Sequence, residues 1–125
     1  MINDPIPLGI MLCPNWKTED GFDMQLGTNH LGHFLLTELI TPLLVKAAAL
    51  GSDARIVNVS SLAHYHGRIF WRDVNFEKKN NKYDRINAYA QSKLANVMHA
   101  RELASRLEGV GIRAVSLHPG KSAHD

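Results

Sequence analysis

Tyr89-Ala90-Gln91-Ser92-Lys93 sets a phenol and an ammonium four residues apart, a spacing that stacks the two on one helical face. An ammonium so placed stabilises the phenolate, so the pair suits proton exchange with a substrate near neutral pH. The spacing alone is common, and an inert surface pair carries the same signature. The order of its neighbours sets it apart. Upstream stands Arg55-Ile56-Val57-Asn58-Val59-Ser60-Ser61, an apolar strand pattern ending in two hydroxyls, and before it Asn29-His30-Leu31-Gly32-His33-Phe34. Downstream, a second apolar run leads into His118-Pro119-Gly120.

These residues need a scaffold, and the hydrophobic pattern outlines one. From Phe22 to Leu50, the residues Phe22, Leu26, Leu31, Phe34, Leu35, Leu39 and Leu43 recur at helical spacing. Asp20 or Thr18 is the expected cap of that helix, Gly51 its end, and Pro42 a kink within it. The β-branched run from Ile56 to Val59 predicts a strand buried on both faces. An irregular basic and aromatic stretch from Ser61 to about Lys82 follows. A second helix is predicted from about Asp84 to Leu107, with Leu94, Val97, Met98, Ala104 and Leu107 on one side. Gly109 and Gly111 stop it, and Ile112 to Leu117 forms the last strand. Near the start, Gly9 to Cys13 is a short apolar run between Pro7 and Pro14, a buried strand end or the loop just after one.

Strands joined through helices pair in parallel. The expected fold class is therefore α/β, part of a Rossmann-type doubly wound parallel sheet: about three central strands with two long helices in a single incomplete domain. Such a sheet binds ligands at the carboxyl ends of its strands. Ser60-Ser61 and His118-Pro119-Gly120 both fall there.

Composition narrows the function classes. The 125 residues are 45% hydrophobic and 21% charged, ordinary for one globular domain. A net charge of +2 makes no case for nucleic acid, and no uninterrupted apolar run reaches membrane-spanning length. Met1 to Pro5 lacks a signal-peptide pattern, and the single Cys13 suits a reducing compartment. His30 with His33 and His64 with His66 lack further ligands at metal-site spacing, so no metal is expected. Asn58-Val59-Ser60 matches a glycosylation acceptor but lies in a predicted buried strand. The basic and aromatic residues from His66 to Lys82 are diluted by Asp73 and Glu77, and read better as a loop bordering a substrate.

In order and approximate spacing, the stretches NHLGHFLLT, RIVNVSSLAH, AYAQSKLAN and RELASRL followed by LHPG resemble the short-chain dehydrogenase/reductase family, in its retinol-dehydrogenase-like branch. The resemblance runs from about Gly9 to Gly120. It implies that Tyr89 is the general acid/base and that Lys93 supports it while bonding the nicotinamide ribose. It further implies that Ser61 positions the substrate oxygen and that the Asn29 backbone holds a water in the relay to Lys93. Pro119 and Gly120 would form the turn beneath the nicotinamide, with Gly9 also at the cofactor. The implied cofactor is NADP or NAD, with NADP favoured, and the implied substrate a lipophilic alcohol, retinol-like or other, with its aldehyde or ketone. A homo-oligomer through the two long helices fits this picture, as does an intracellular setting, cytoplasmic or endoplasmic-reticulum-associated.

The sequence also departs from the family. No glycine-rich phosphate turn is present, Ile6-Pro7-Leu8 replaces the family's Asn-Asn-Ala, and Lys121 to Asp125 replaces its substrate-binding continuation. Residues 1–125 are therefore expected to be the central part of a dinucleotide-binding dehydrogenase domain, lacking the N-terminal cofactor loop and the C-terminal substrate-binding part. The alternative function is a truncated, inactive piece acting as a binding or interaction module.

Overall fold

In the computed structural model, which describes residues 9–79 and 82–120, the first apolar segment is a continuous helix, α1, over Met24–Ala49. Its cap is Asp23, whose Oδ2 accepts from the Leu26 N–H at 2.8 Å, rather than Asp20 or Thr18. Thr18 closes the preceding turn instead, accepting from the Phe22 N–H at 3.1 Å. Gly51 ends the helix at φ +85°, as expected. Pro42 lies inside the helix, but the departure from α geometry comes earlier, in a π turn over Gly27–Leu31. A Cβ at Gly27 would stand 2.4 Å from Thr18 Cγ2, so glycine lets the preceding loop press against this turn.

The strands form where the sequence places them. β1 spans Ala54–Val59 and β2 spans Ile112–Leu117, parallel and in register from Ala54↔Ile112 to Val59↔Leu117. Between them runs α2 over Arg85–Arg106, capped by Asp84, whose Oδ1 accepts from the Asn87 N–H at 2.7 Å. The third expected strand, near Gly9, is not found among the described residues. Ile10 instead lies in a loop whose N–H and C=O both pair with the Asn29 side-chain amide, at 2.7 and 2.9 Å. Ile6-Pro7-Leu8 and Lys121 to Asp125 lie outside the described residues.

Both helices cover one face of the sheet. Ala54, Ile56, Ile112 and Ala114 form a core with Leu103 and Leu107 from the α2 end, and Leu44, Val45 and Ala48 of α1 pack against it. The other face is open: Val57 is 48% and Val115 51% exposed. β1 is thus not buried on both faces, and its burial alternates strictly along the strand.

The helical stripes also differ from the expected ones. Leu35, Leu39 and Leu43 are exposed, because α1 is apolar on nearly every side and its periodicity does not select the inward face. By length and composition alone, α1 is long and apolar enough to cross a bilayer. Its Asn29 and His30 are nonetheless hydrogen-bonded to other elements of the α/β layer. On α2 the buried positions are Ala88, Ala90, Ala95, Ala100 and Leu103 with the polar Gln91, Ser92, Lys93, Asn96 and His99; the expected Leu107 is buried just past its end, while Met98 is exposed. The small side chains bring the helix close, and the buried polar groups bond across the gap.

The irregular stretch begins with a 3₁₀ turn over Leu62–His66. Further along, the buried Gln91 side chain holds it, accepting from the Phe70 N–H at 2.9 Å and donating to Val74 O at 3.0 Å. Phe76 is buried beside Phe70 and Tyr83. Asn58 is also buried, with its amide nitrogen 3.3 Å from Asn96 O, which leaves the glycosylation match without an accessible acceptor.

Candidate active site

The carboxyl end of the sheet opens into a cleft of about 350 Å³, lined by Gly9, Ser61, Tyr89, Lys93, Pro119 and Gly120 among others. The residues singled out by type and spacing are therefore neighbours, apart from Asn29, which lies one layer deeper. α2 supplies Tyr89 and Lys93, stacked at i and i+4, with the Lys93 Nζ 5.6 Å from the Tyr89 ring centre. Lys93 is only 5% exposed, and this burial pushes its ammonium below the usual lysine range. Its Nζ donates to Val59 O, the last carbonyl of β1, at 3.3 Å.

The two serines after β1 separate into different roles. Ser60 is buried and its hydroxyl donates to Lys93 O at 2.8 Å, tying the strand end to α2. Ser61 caps the 3₁₀ turn, its Oγ accepting from the Ala63 N–H at 3.3 Å. An accepting hydroxyl still has its proton to donate. The Ser61 carbonyl is fixed by the His64 Nδ1–H at 2.6 Å.

Asn29 sits in the π turn of α1, almost fully buried. Its amide donates to Ser92 Oγ at 2.9 Å, and Ser92 donates to Tyr89 O at 2.7 Å. The Asn29 side chain therefore joins the Ile10 loop to the helix that carries Tyr89. A Cβ at Gly9 would stand 3.0 Å from Asn29 Oδ1 and 3.5 Å from Lys93 Nζ, so glycine there leaves the ammonium its room. Gly120, which lines the same cleft, turns the chain at φ +83°. Chemically, the cleft offers a phenol, a buried ammonium and a free hydroxyl proton at one mouth: a proton donor or acceptor with a cation behind it.

The sequence reading did not single out Asn96, Ser92 and Gln91, which bind the site together. The available signal was position: Asn96 falls three residues after Lys93 on the same helical face. The histidine pairs gather no metal site, since no group of three His, Cys, Asp or Glu side chains comes together among the described residues.

Known proteins share this sequence and this shape. No known family profile matches the chain. It is 53% identical over 112 residues to retinol dehydrogenase 13 of Homo sapiens, covering 90% of this chain and 32% of that protein. It is 51% identical over 112 residues to human retinol dehydrogenase 12, covering 90% and 33% respectively. The chain thus spans about a third of the length of the curated relatives it matches. A crystal structure of an uncharacterised Mycobacterium paratuberculosis protein superposes with TM-score 0.77 at 46% identity, over 91% of this chain and 40% of that one. A short-chain dehydrogenase of Pseudomonas syringae superposes at TM-score 0.61 and 26% identity, over 90% and 40%. A 3-ketoacyl-(acyl-carrier-protein) reductase of Brucella melitensis, solved with NADH, shares the fold at TM-score 0.65 and 24% identity, over 89% and 41%.

Proposed function

We propose that this chain, a homologue of the retinol-dehydrogenase-like short-chain dehydrogenases/reductases, carries the proton-transfer site of an NAD(P)-dependent oxidoreductase. The substrate class is a lipophilic alcohol and its aldehyde or ketone, retinol-like by the names of its relatives. One observation carries the reading: Tyr89, Lys93 and Ser61 meet in one cleft at the carboxyl end of a parallel sheet. Tyr89 gives its proton to the carbonyl oxygen during reduction, or takes the alcohol proton during oxidation. Lys93 holds positive charge behind that phenol and offers its remaining N–H groups to a ribose hydroxyl. Ser61 donates to the substrate oxygen, and Asn29 holds the Ile10 wall against α2.

The donor set suits the nicotinamide riboside end of the cofactor, with Lys93 beside Gly9 and the Pro119-Gly120 turn in the lining of the same cleft. When bound, the nicotinamide supplies or accepts the hydride. The sequence carries no glycine-rich turn for the pyrophosphate. NADP is preferred to NAD, in an intracellular setting that is cytoplasmic or endoplasmic-reticulum-associated.

The test is a hybrid in which residues 9–120 replace the matching segment of human retinol dehydrogenase 13, assayed for NADP-linked retinol oxidation. Tyr89→Phe lowers kcat by about 10²–10⁴-fold while the cofactor still binds. Near-normal turnover of that variant refutes the assignment. The exposed leucines of α1 favour a second reading, an interaction module with no turnover. An active parent hybrid sets it aside.

A further inference from the structure

We propose that Asn96 is a positioning residue that fixes where the Lys93 ammonium sits. The proposal rests on the dehydrogenase reading for its chemical purpose, but its geometry stands apart from that reading.

The Asn96 amide is 5% exposed and fully engaged. Its Nδ2 donates to Asn29 O at 2.9 Å and to Val59 O at 3.1 Å, and its Oδ1 lies 3.0 Å from His30 Nδ1. Val59 O is also the acceptor of Lys93 Nζ. One side chain therefore holds two backbone carbonyls, one at the end of β1 and one in the π turn of α1. The first of these anchors the ammonium.

Two consequences follow from hydrogen-bond chemistry. An amide nitrogen aimed at two carbonyls leaves only its oxygen for His30, and that oxygen can only accept. His30 must therefore carry its proton on Nδ1, and its ring locks the orientation of the amide. Lys93, in turn, shares Val59 O with a competing donor. With Asn96 in place the carbonyl is partly satisfied, and the ammonium keeps N–H groups for the cleft. Without it, Val59 O keeps Lys93 Nζ but loses its second side-chain donor and Asn29 O loses the amide, and the flexible lysine stem lets Nζ turn further inward toward them. The charge then withdraws from Tyr89. Neither consequence follows if Asn96 merely fills space.

The experiment uses the 125-residue chain and nuclear magnetic resonance of the His30 ring nitrogens and the Lys93 side chain. The parent is expected to show His30 as the Nδ1–H tautomer, a result that needs no variant. Asn96→Leu removes every bond at similar size, and Asn96→Asp keeps the shape while replacing the donor with an acceptor. Asn96→Leu is expected to release His30 from that tautomer, whereas Asn96→Asp keeps an acceptor for its Nδ1–H; both are expected to displace the Lys93 Nζ and Cε resonances. In the hybrid enzyme, Asn96→Leu lowers kcat by roughly 10–100-fold with the cofactor KM within about threefold, as expected for misplaced charge rather than lost binding. Finding His30 with its proton on Nε2 in the parent overturns the proposal. So do Lys93 resonances that ignore both substitutions, or a loss confined to KM. An active Tyr89→Phe hybrid would remove the chemical purpose and leave the resonance results standing, so the two failures are distinguishable.

Discussion

Gly67→Ala should loosen the junction between the 3₁₀ turn that carries Ser61 and the helix that carries Tyr89. Gly67 has φ −71° and ψ 148°, an extended backbone that alanine adopts freely, so conformation raises no objection. Space does. The added Cβ would stand 2.6 Å from Ala90 O, 2.9 Å from Leu94 Cβ and 3.0 Å from His64 O. Carbon contacts rest at roughly 3.5–4.0 Å, and two of these three neighbours are backbone oxygens that cannot rotate away. Overpacking of this kind costs about 1–3 kcal/mol, and the stiffer unfolded chain offsets about 0.4–1 kcal/mol. The net loss is about 1–2 kcal/mol, or roughly 3–10 °C in Tm for a domain of this size. Gly32→Ala is the matched control. Gly32 is helical at φ −61° and ψ −44°, and its Cβ would meet only Gly27 O at 3.6 Å, an ordinary contact. That change should stabilise by about 0.5–1 kcal/mol. Urea unfolding followed by circular dichroism measures both. Equal midpoints for the two variants, or a Gly67→Ala chain as stable as the parent, would refute the packing argument.

Other outcomes follow from the same structure. Burial holds His30 and His99 below the ordinary imidazole value of about 6.5, so the unfolded chain binds protons there that the folded chain does not. Stability should therefore fall as pH drops through about 6.5, and urea midpoints at pH 7.5 and 5.5 test the sign. Lys93 is also depressed by burial, so its contribution should rise at alkaline pH, as the unfolded chain holds a proton that the folded one has lost. Lys93→Met should remove that rise. The 125-residue chain should bind NADPH feebly, since its sequence has no glycine-rich turn for the pyrophosphate; a low-micromolar Kd by calorimetry would contradict this. With Val57, Val59, Val115 and the α1 leucines exposed, the chain should self-associate and bind apolar dyes, and a sharp monomer peak on size exclusion would count against it.

Much of the scaffold was legible in the sequence because strands and caps are local. The run from Ile112 to Leu117, the aspartate before α2 and the glycine after α1 each carry their instruction within a few residues. Facing was less legible. α1 is apolar all round, so spacing could not tell that Thr37 and Val45 turn inward while Leu35 and Leu39 turn out. α2 buries alanines and hydrogen-bonded polar residues along most of its length, with leucines only at its end, where an apolar stripe was expected. Within the site, Tyr89, Lys93 and Ser61 announce themselves through chemistry and spacing. Asn96 and Gln91 do not, since a buried amide is recognised only from the carbonyls it meets, and those lie 37 and 67 residues away for Asn96.

Gln91 stands two residues from Tyr89 on α2 and grips the far loop at Phe70 and Val74. Those two grips act as fixed posts, and Trp71, Arg72 and Asp73 form the span between them. Trp71 is exposed and lines the apolar groove beside Phe34 and Met98. Within that span Trp71 is a replaceable panel. The Trp71 side chain can be exchanged to reshape that groove while the posts keep the helix, and Tyr89 with it, in place, whereas Asp73 holds the next turn by accepting from the Glu77 and Lys78 N–H groups. For anyone reshaping this groove, Trp71 is the place to diversify, and Gln91 and Asp73 are the residues to leave alone.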